Sequence, residues 1–144
     1  MIFRSIILFA IAWLAQGCIG GFGFVYKEHL FGNYYLIETD EVQMSLSYHA
    51  PEDGSNYGGV IPETVFAVGF NEKYIIVKQH PRSFPKHPDK KITNYYIVPV
   101  TDGFNYRTMN GMCGPLTLNQ FSEKRIELGI PDSLNFTKEF EDLK

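Results

Sequence analysis

Four histidines, two cysteines and a scatter of serines and carboxylates are the side chains through which this chain could do chemistry. His29, His49, His80 and His87 would be the imidazoles of a metal site. No two of them stand at the short spacing of a zinc site, and Cys113 is the only cysteine near enough to matter. His80 and His87 share one proline-rich stretch and read as solvated loop histidines. Cys113 with a histidine would make a nucleophile pair, but its neighbours Met112 and Gly114 match no cysteine-hydrolase signature. A buried structural thiol is the reading they favour. Ser45, Ser47 and Ser83 lack a Gly-x-Ser-x-Gly elbow, and Gly111 and Gly114 flank no Lys-Ser/Thr of a phosphate loop. Asp40-Glu41 and Glu52-Asp53 are acidic pairs in turn surroundings, where such residues usually form the turn. No cofactor, metal or catalytic set is expected. An enzyme on this chain would have to build its site between loops 50–63 and 101–114, with His49 or Cys113 inside it.

The remaining cysteine has a different chemistry. Met1-Ile2-Phe3-Arg4 carries the start amine and one Arg, Ile6 to Ala15 is apolar and uncharged, and Gln16-Gly17-Cys18 follows. A basic start, an apolar run too short to span a bilayer and small residues before a cut make residues 1–17 a secretory signal peptide. Cys18 stands where a bacterial lipobox places its acylated cysteine, although Ala15 occupies the position that usually holds Leu. The expectation is a lipoprotein with a palmitate-type acyl anchor on Cys18 and a Gly-rich tether over residues 18–23. Ile19, rather than Asp, follows the cysteine, so delivery from the periplasm to the outer membrane is expected. The rival reading joins Cys18 to Cys113 as a disulfide in an oxidising compartment. A thioether on Cys18 would exclude it.

Cleavage leaves 127 of 144 residues (144 − 17), the length of one domain, here residues 24–144. Loss of Arg4 takes the basic count from 13 to 12 against 16 acidic residues, a net charge of −4. Mild acidity argues against nucleic acid as a partner and leaves another envelope protein as the expected one. One stretch departs from the acidic background. Lys78, Arg82, Lys86, Lys90 and Lys91 stand against Asp89 alone, a local charge of +4 and a candidate interaction loop. Asp132-Ser133-Leu134 resembles a short acceptor for periplasmic O-glycosylation, with Ser133 the residue modified.

The elements that must position these groups read as strands first and helices last, an α+β order. Tyr34–Glu38, rich in aromatic and β-branched residues, and Met44–His49, which alternates, read as strands. Val65–Phe70 and Tyr74–Val77 around Asn71-Glu72-Lys73 form the clearest hairpin, and their continuous apolar character predicts burial on both faces. Three prolines keep Lys78–Lys91 out of a ladder, and Thr93–Val100 resumes as a strand that Pro99 should end. Thr117 with Gln120 predicts a capping box and a helix stopped by Gly129 and Pro131. Phe136, Phe140 and Leu143, at i, i+4 and i+7, predict a second short helix. The expectation is a mostly antiparallel sheet of about five strands with one or two short C-terminal helices on one face.

"GNYYLIETD" at 32–40 is echoed by "NYYIVPV" from Asn94. The mature length is too short for a closed propeller, so the echo reads as two strands of one sheet, each entered by a turn. With Cys18, these two segments and "ETVFAVGFNEKYIIVKQHP" make residues 18–100 similar to small bacterial lipoproteins classed only as domains of unknown function. That resemblance implies export, anchoring and a compact domain, and it carries over no catalytic or ligand residue. Binding of another envelope protein, in an inhibitor- or immunity-like role, is the leading expectation. A small envelope hydrolase and a structural component of envelope assembly are the alternatives.

Overall fold

The structure, a computed structural model, describes residues 23–144. The expected signal peptide 1–17, Cys18 and the expected tether before Gly23 lie outside the described residues. Among those described, nine strands and one α-helix form two antiparallel sheets and a helical layer, an α+β architecture.

The first sheet runs in chain order: β1 (Phe24–Phe31), β2 (Tyr34–Thr39), β3 (Ser45–Tyr48) and β4 (Gly58–Ile61). The second is β5 (Val65–Phe70), β6 (Tyr74–Gln79), β7 (Asn94–Pro99), β8 (Cys113–Leu116) and β9 (Lys138–Glu139), in the order β8-β7-β6-β5-β9. The chain passes between sheets over residues 62–64. Val65 N donates to Met44 O there, and Thr64 and His80 exchange both backbone hydrogen bonds.

Strand alternation explains the layers. In β6, Ile75 and Val77 join the core between the sheets, while Ile76 turns to the other face. In β7, Tyr96 and Val98 face the same inter-sheet core and Ile97 joins Ile76 behind them. Tyr34, Leu36, Leu46, Tyr48 and Ile61 supply the first sheet's side of that core and are essentially inaccessible to solvent. Helix α1 (Leu118–Glu127) covers the back of the second sheet, with Phe121, Ile130 and Leu134 over Ile76 and Ile97. Burial on both faces is why residues 65–70, 74–77 and 95–98 are apolar runs within β5 to β7. Each large side chain so buried contributes about 1.5–3 kcal/mol.

The helix begins as its sequence predicts. Gln120 N donates to the Thr117 hydroxyl, and Thr117 N donates to the Gln120 side chain. Gly129 follows with φ +64°, the left-handed conformation that ends a helix. Elsewhere the structure departs from the expectations. There are two sheets where one was expected, and Tyr34 and Tyr96 face the same core from different sheets. Tyr34 is the first tyrosine of its pair and Tyr96 the second, so the two copies are out of phase by one residue. Phe136 to Leu143 forms no helix. Thr137 N and Phe140 N donate to Val68 O and Phe66 O, and the segment becomes the edge strand β9.

One ion pair ties the edges of the two sheets. Lys138 of β9 donates to the Glu28 carboxylate of β1, and the Tyr26 hydroxyl donates to it as well. These hydrogen bonds, Lys138 first, hold the Glu28 carboxyl below its ordinary value. The bond to Glu28, with burial next, pushes the Tyr26 phenol up to about 12. A depressed carboxyl stabilises the fold at pH above its unfolded value, and that contribution is lost as pH falls through the folded one. The Lys138 and Glu28 side chains are 32% and 33% exposed, so solvent screens the pair to about 1 kcal/mol. Glu28→Gln should therefore lower the urea midpoint at about pH 7 and do so progressively less towards about pH 3. A gap that stays constant over that range would remove the ion pair from this role.

Candidate functional site

The two irregular loops that flank the sheets meet at one end of the sandwich. They join around a cleft of about 320 Å³ that runs from Tyr48 and Ala50 to Arg107. The first loop starts after β3 with a single 3-10 turn, Pro51–Asp53. Pro51 suits the first position of that turn because it has no N–H to leave unsatisfied. The second starts after β7, where Pro99 makes the last pairing with Tyr74 and the ladder stops.

Tyrosine hydroxyls hold the second loop to the first sheet. Tyr34 donates to Pro99 O at 2.8 Å and Tyr48 to Asp102 O at 2.9 Å. Burial drives the Tyr34 phenol well above its ordinary value, so it stays protonated and a donor. Phe104 plugs the space between them, its ring 5.6 Å from that of Tyr34 and 5.5 Å from that of Tyr48. Beyond Phe104 the loop is a knot of asparagine turns: Asn105 Oδ1 accepts Arg107 N, and Asn110 Oδ1 accepts Asn105 N.

The loops are then joined to each other. Tyr106 donates to Asp53 Oδ2 at 2.7 Å, and its ring lies flat against Gly58. A Cβ at Gly58 would stand 2.2 Å from that ring, so only glycine admits it. Around this lock Glu52, Asp102 and Arg107 are exposed, the guanidinium lying 5.6 Å from the Tyr106 ring centroid. The arrangement is a rim of charge on hydrogen-bonded tyrosine supports. Its hydrogen-bonding and ionic groups stand at the surface of the cleft.

The expected residues fall as follows. Neither His49 nor Cys113 lines the cleft. His49 stacks on Tyr57 at 4.9 Å and its Nδ1 donates to Asn56 O. Cys113 is half-buried in β8, opposite Ile97, rather than fully buried. Of the aromatic side chains of the two loops, Phe104 is buried and Tyr57 and Tyr106 are half-buried. Among the described residues no group of three or more His, Cys, Asp or Glu could hold a metal ion.

His80 is not a solvated histidine. It is 3% exposed, stacked on Phe66 at 4.1 Å, with Nδ1 donating to Ile92 O. The basic stretch is also dispersed rather than a single patch. Arg82 pairs with Glu63 at 2.8 Å, and Lys90 donates to the carbonyls of Asp142 and Lys144. Lys78 lies on β6, and Lys86, Lys90 and Lys91 are the exposed cations of the loop. Ser133 is exposed in a turn, with Leu134 beside it buried. The Tyr106–Asp53 lock was not read from the sequence. Its only signal there is a tyrosine in one glycine-rich loop and a double glycine in the other.

A family model described as "Protein of unknown function (DUF3997)" matches residues 31–143. No curated protein and no solved structure matches the chain.

Proposed function

The chain belongs to the DUF3997 family of proteins of unknown function, and we propose that it is an exported, lipid-anchored domain that acts by binding another protein of the bacterial cell envelope. Residues 1–17 serve as signal peptide, Cys18 carries the acyl anchor, and the domain from residue 24 stands off the outer membrane on its short tether. The single observation that supports binding is the lock between loops, Tyr106 to Asp53 across the cleft. Loops held rigid on a sandwich lose little conformational entropy when a partner docks, which is how such scaffolds gain affinity. Glu52, Asp102 and Arg107 then act as charged contacts around the lock, where rim charges set the rate and choice of encounter.

Affinity recovery of the native protein from crosslinked cells tests this. The wild-type chain should return a protein partner. Glu52→Lys with Arg107→Glu should lose it while the thermal midpoint is kept, because both side chains are exposed. Recovery of the same partner by both proteins would remove the loop end from binding.

A further inference from the structure

A second concave surface lies at the other layer of the fold, between α1 and the back of the second sheet. It is a groove of about 440 Å³. Its floor is aromatic: the Tyr95 and Phe121 rings are 5.0 Å apart, and Phe136 lies 6.0 Å from Phe121. One wall is the α1 face formed by Leu118, Ser122, Arg125 and Ile126, spaced at the helical repeat. Leu118 is 57% exposed and Ile126 82%, so this wall puts two large aliphatic side chains in water beside the aromatic floor. Apolar side chains that are contiguous with a groove, unlike scattered ones, mark a binding surface.

The charges at the groove say what kind of occupant it fits. Lys78 holds its ammonium 4.4 Å from the Phe136 ring centroid and makes no ion pair among the described residues. The nearest cation to Glu139, by contrast, is Lys144 at 2.9 Å. Arg125 donates through one terminal nitrogen to Pro131 O and Leu134 O. Its other N–H groups face no acceptor among the described residues. Two cations over aromatic faces, against Asp132 in the lining and Glu139 near Lys78 but paired with Lys144, call for an anionic partner with an apolar body. Residues 1–22 of this chain contain no Asp or Glu, so they lack the complementary charge.

We propose that the groove between α1 and the second sheet is a docking site for an acidic, aromatic-bearing peptide segment of a partner protein. An aromatic or leucine side chain fills the space between Ile126 and the Tyr95–Phe121 floor, and a neighbouring carboxylate meets Lys78. The groove is separate from the joined loops, and its occupancy depends neither on them nor on the lipid anchor.

The probe is a short fluorescein-labelled peptide alternating Glu with Phe and Leu, titrated with the purified chain and read by fluorescence anisotropy. A peptide with Lys in place of Glu is the control. The acidic peptide should bind and the basic one should not. Lys78→Glu and Ile126→Asp should each weaken binding about tenfold, and Ile126→Asp should do so with the thermal midpoint unchanged, since Ile126 lies in solvent. Equal binding of the two peptides, or no loss in either variant, would overturn the proposal. So would self-association that Ile126→Asp abolishes without any peptide binding, since the occupant would then be a second copy.

Discussion

Gly69→Ala should destabilise the domain by about 3 kcal/mol, the upper range for a side chain forced into packed backbone. A Cβ at Gly69 would stand 1.9 Å from the carbonyl oxygen of Asn135 and 2.8 Å from its carbon, and neither backbone atom can turn aside. Gly69 lies on β5 where the C-terminal segment arrives from under α1 and turns onto the sheet edge. Thr137 N reaches Val68 O just beyond it. Displacing Asn135 would therefore unseat β9, uncover Ala67 and Val68 on β5, and remove Lys138 from Glu28. For a domain of this size the loss corresponds to a fall of about 10 °C in Tm. Gly59→Ala is the internal control, because nothing lies within 4 Å of its Cβ position. It should change stability by less than about 0.5 kcal/mol. Equal melting of the two variants would mean that the C-terminal segment does not cross β5 as described.

Much of the fold was legible because its signals were local. The β5–β6 hairpin, β7 up to Pro99 and the capped helix follow from apolar runs, a proline and a Thr-x-x-Gln pair that act within a few residues. What escaped was set by distant partners. In β1, Leu30 is the one buried residue, so Lys27, Glu28 and His29 show no strand alternation, and the strand exists because it pairs with β2. β4 is hidden by Gly58 and Gly59, and Gly58 is glycine for the sake of the Tyr106 ring. β8 contains Gly114-Pro115, which an edge strand tolerates and a central one would not. The Phe136, Phe140 and Leu143 spacing suits a helix, yet the first ring also packs under α1 while the other two enter the inter-sheet core. An edge crossing places those side chains, and the helical period is coincidental.

The candidate site divides along the same line. Both loops could be bounded from glycine, proline and asparagine content, and a cleft does lie between them, but without the His49 or Cys113 that a hydrolase there was expected to use. The side chains that join the loops were not legible. Tyrosines reach a backbone carbonyl 54 or 65 residues away, a pairing that no local pattern announces. His80 misled for the reverse reason. Its proline-rich surroundings are solvated, but its backbone pairs with Thr64 and draws the imidazole onto Phe66.

The proposed membrane attachment through Cys18 carries the largest effect expected from a single residue, because it would decide where the whole domain resides. Among the described residues no helix is long and apolar enough to cross a bilayer. Stable anchoring needs more than one hydrophobic signal, which an acylated N-terminal cysteine supplies through several chains. Cys113→Ala separates the readings, since it removes only the rival disulfide. The direct measurement is fractionation of cells expressing the native chain, Cys18→Ala and Cys113→Ala. A lipid-anchored domain predicts native and Cys113→Ala protein with the membranes and Cys18→Ala protein in the soluble fraction; Cys18→Ala protein that stays with the membranes would contradict it.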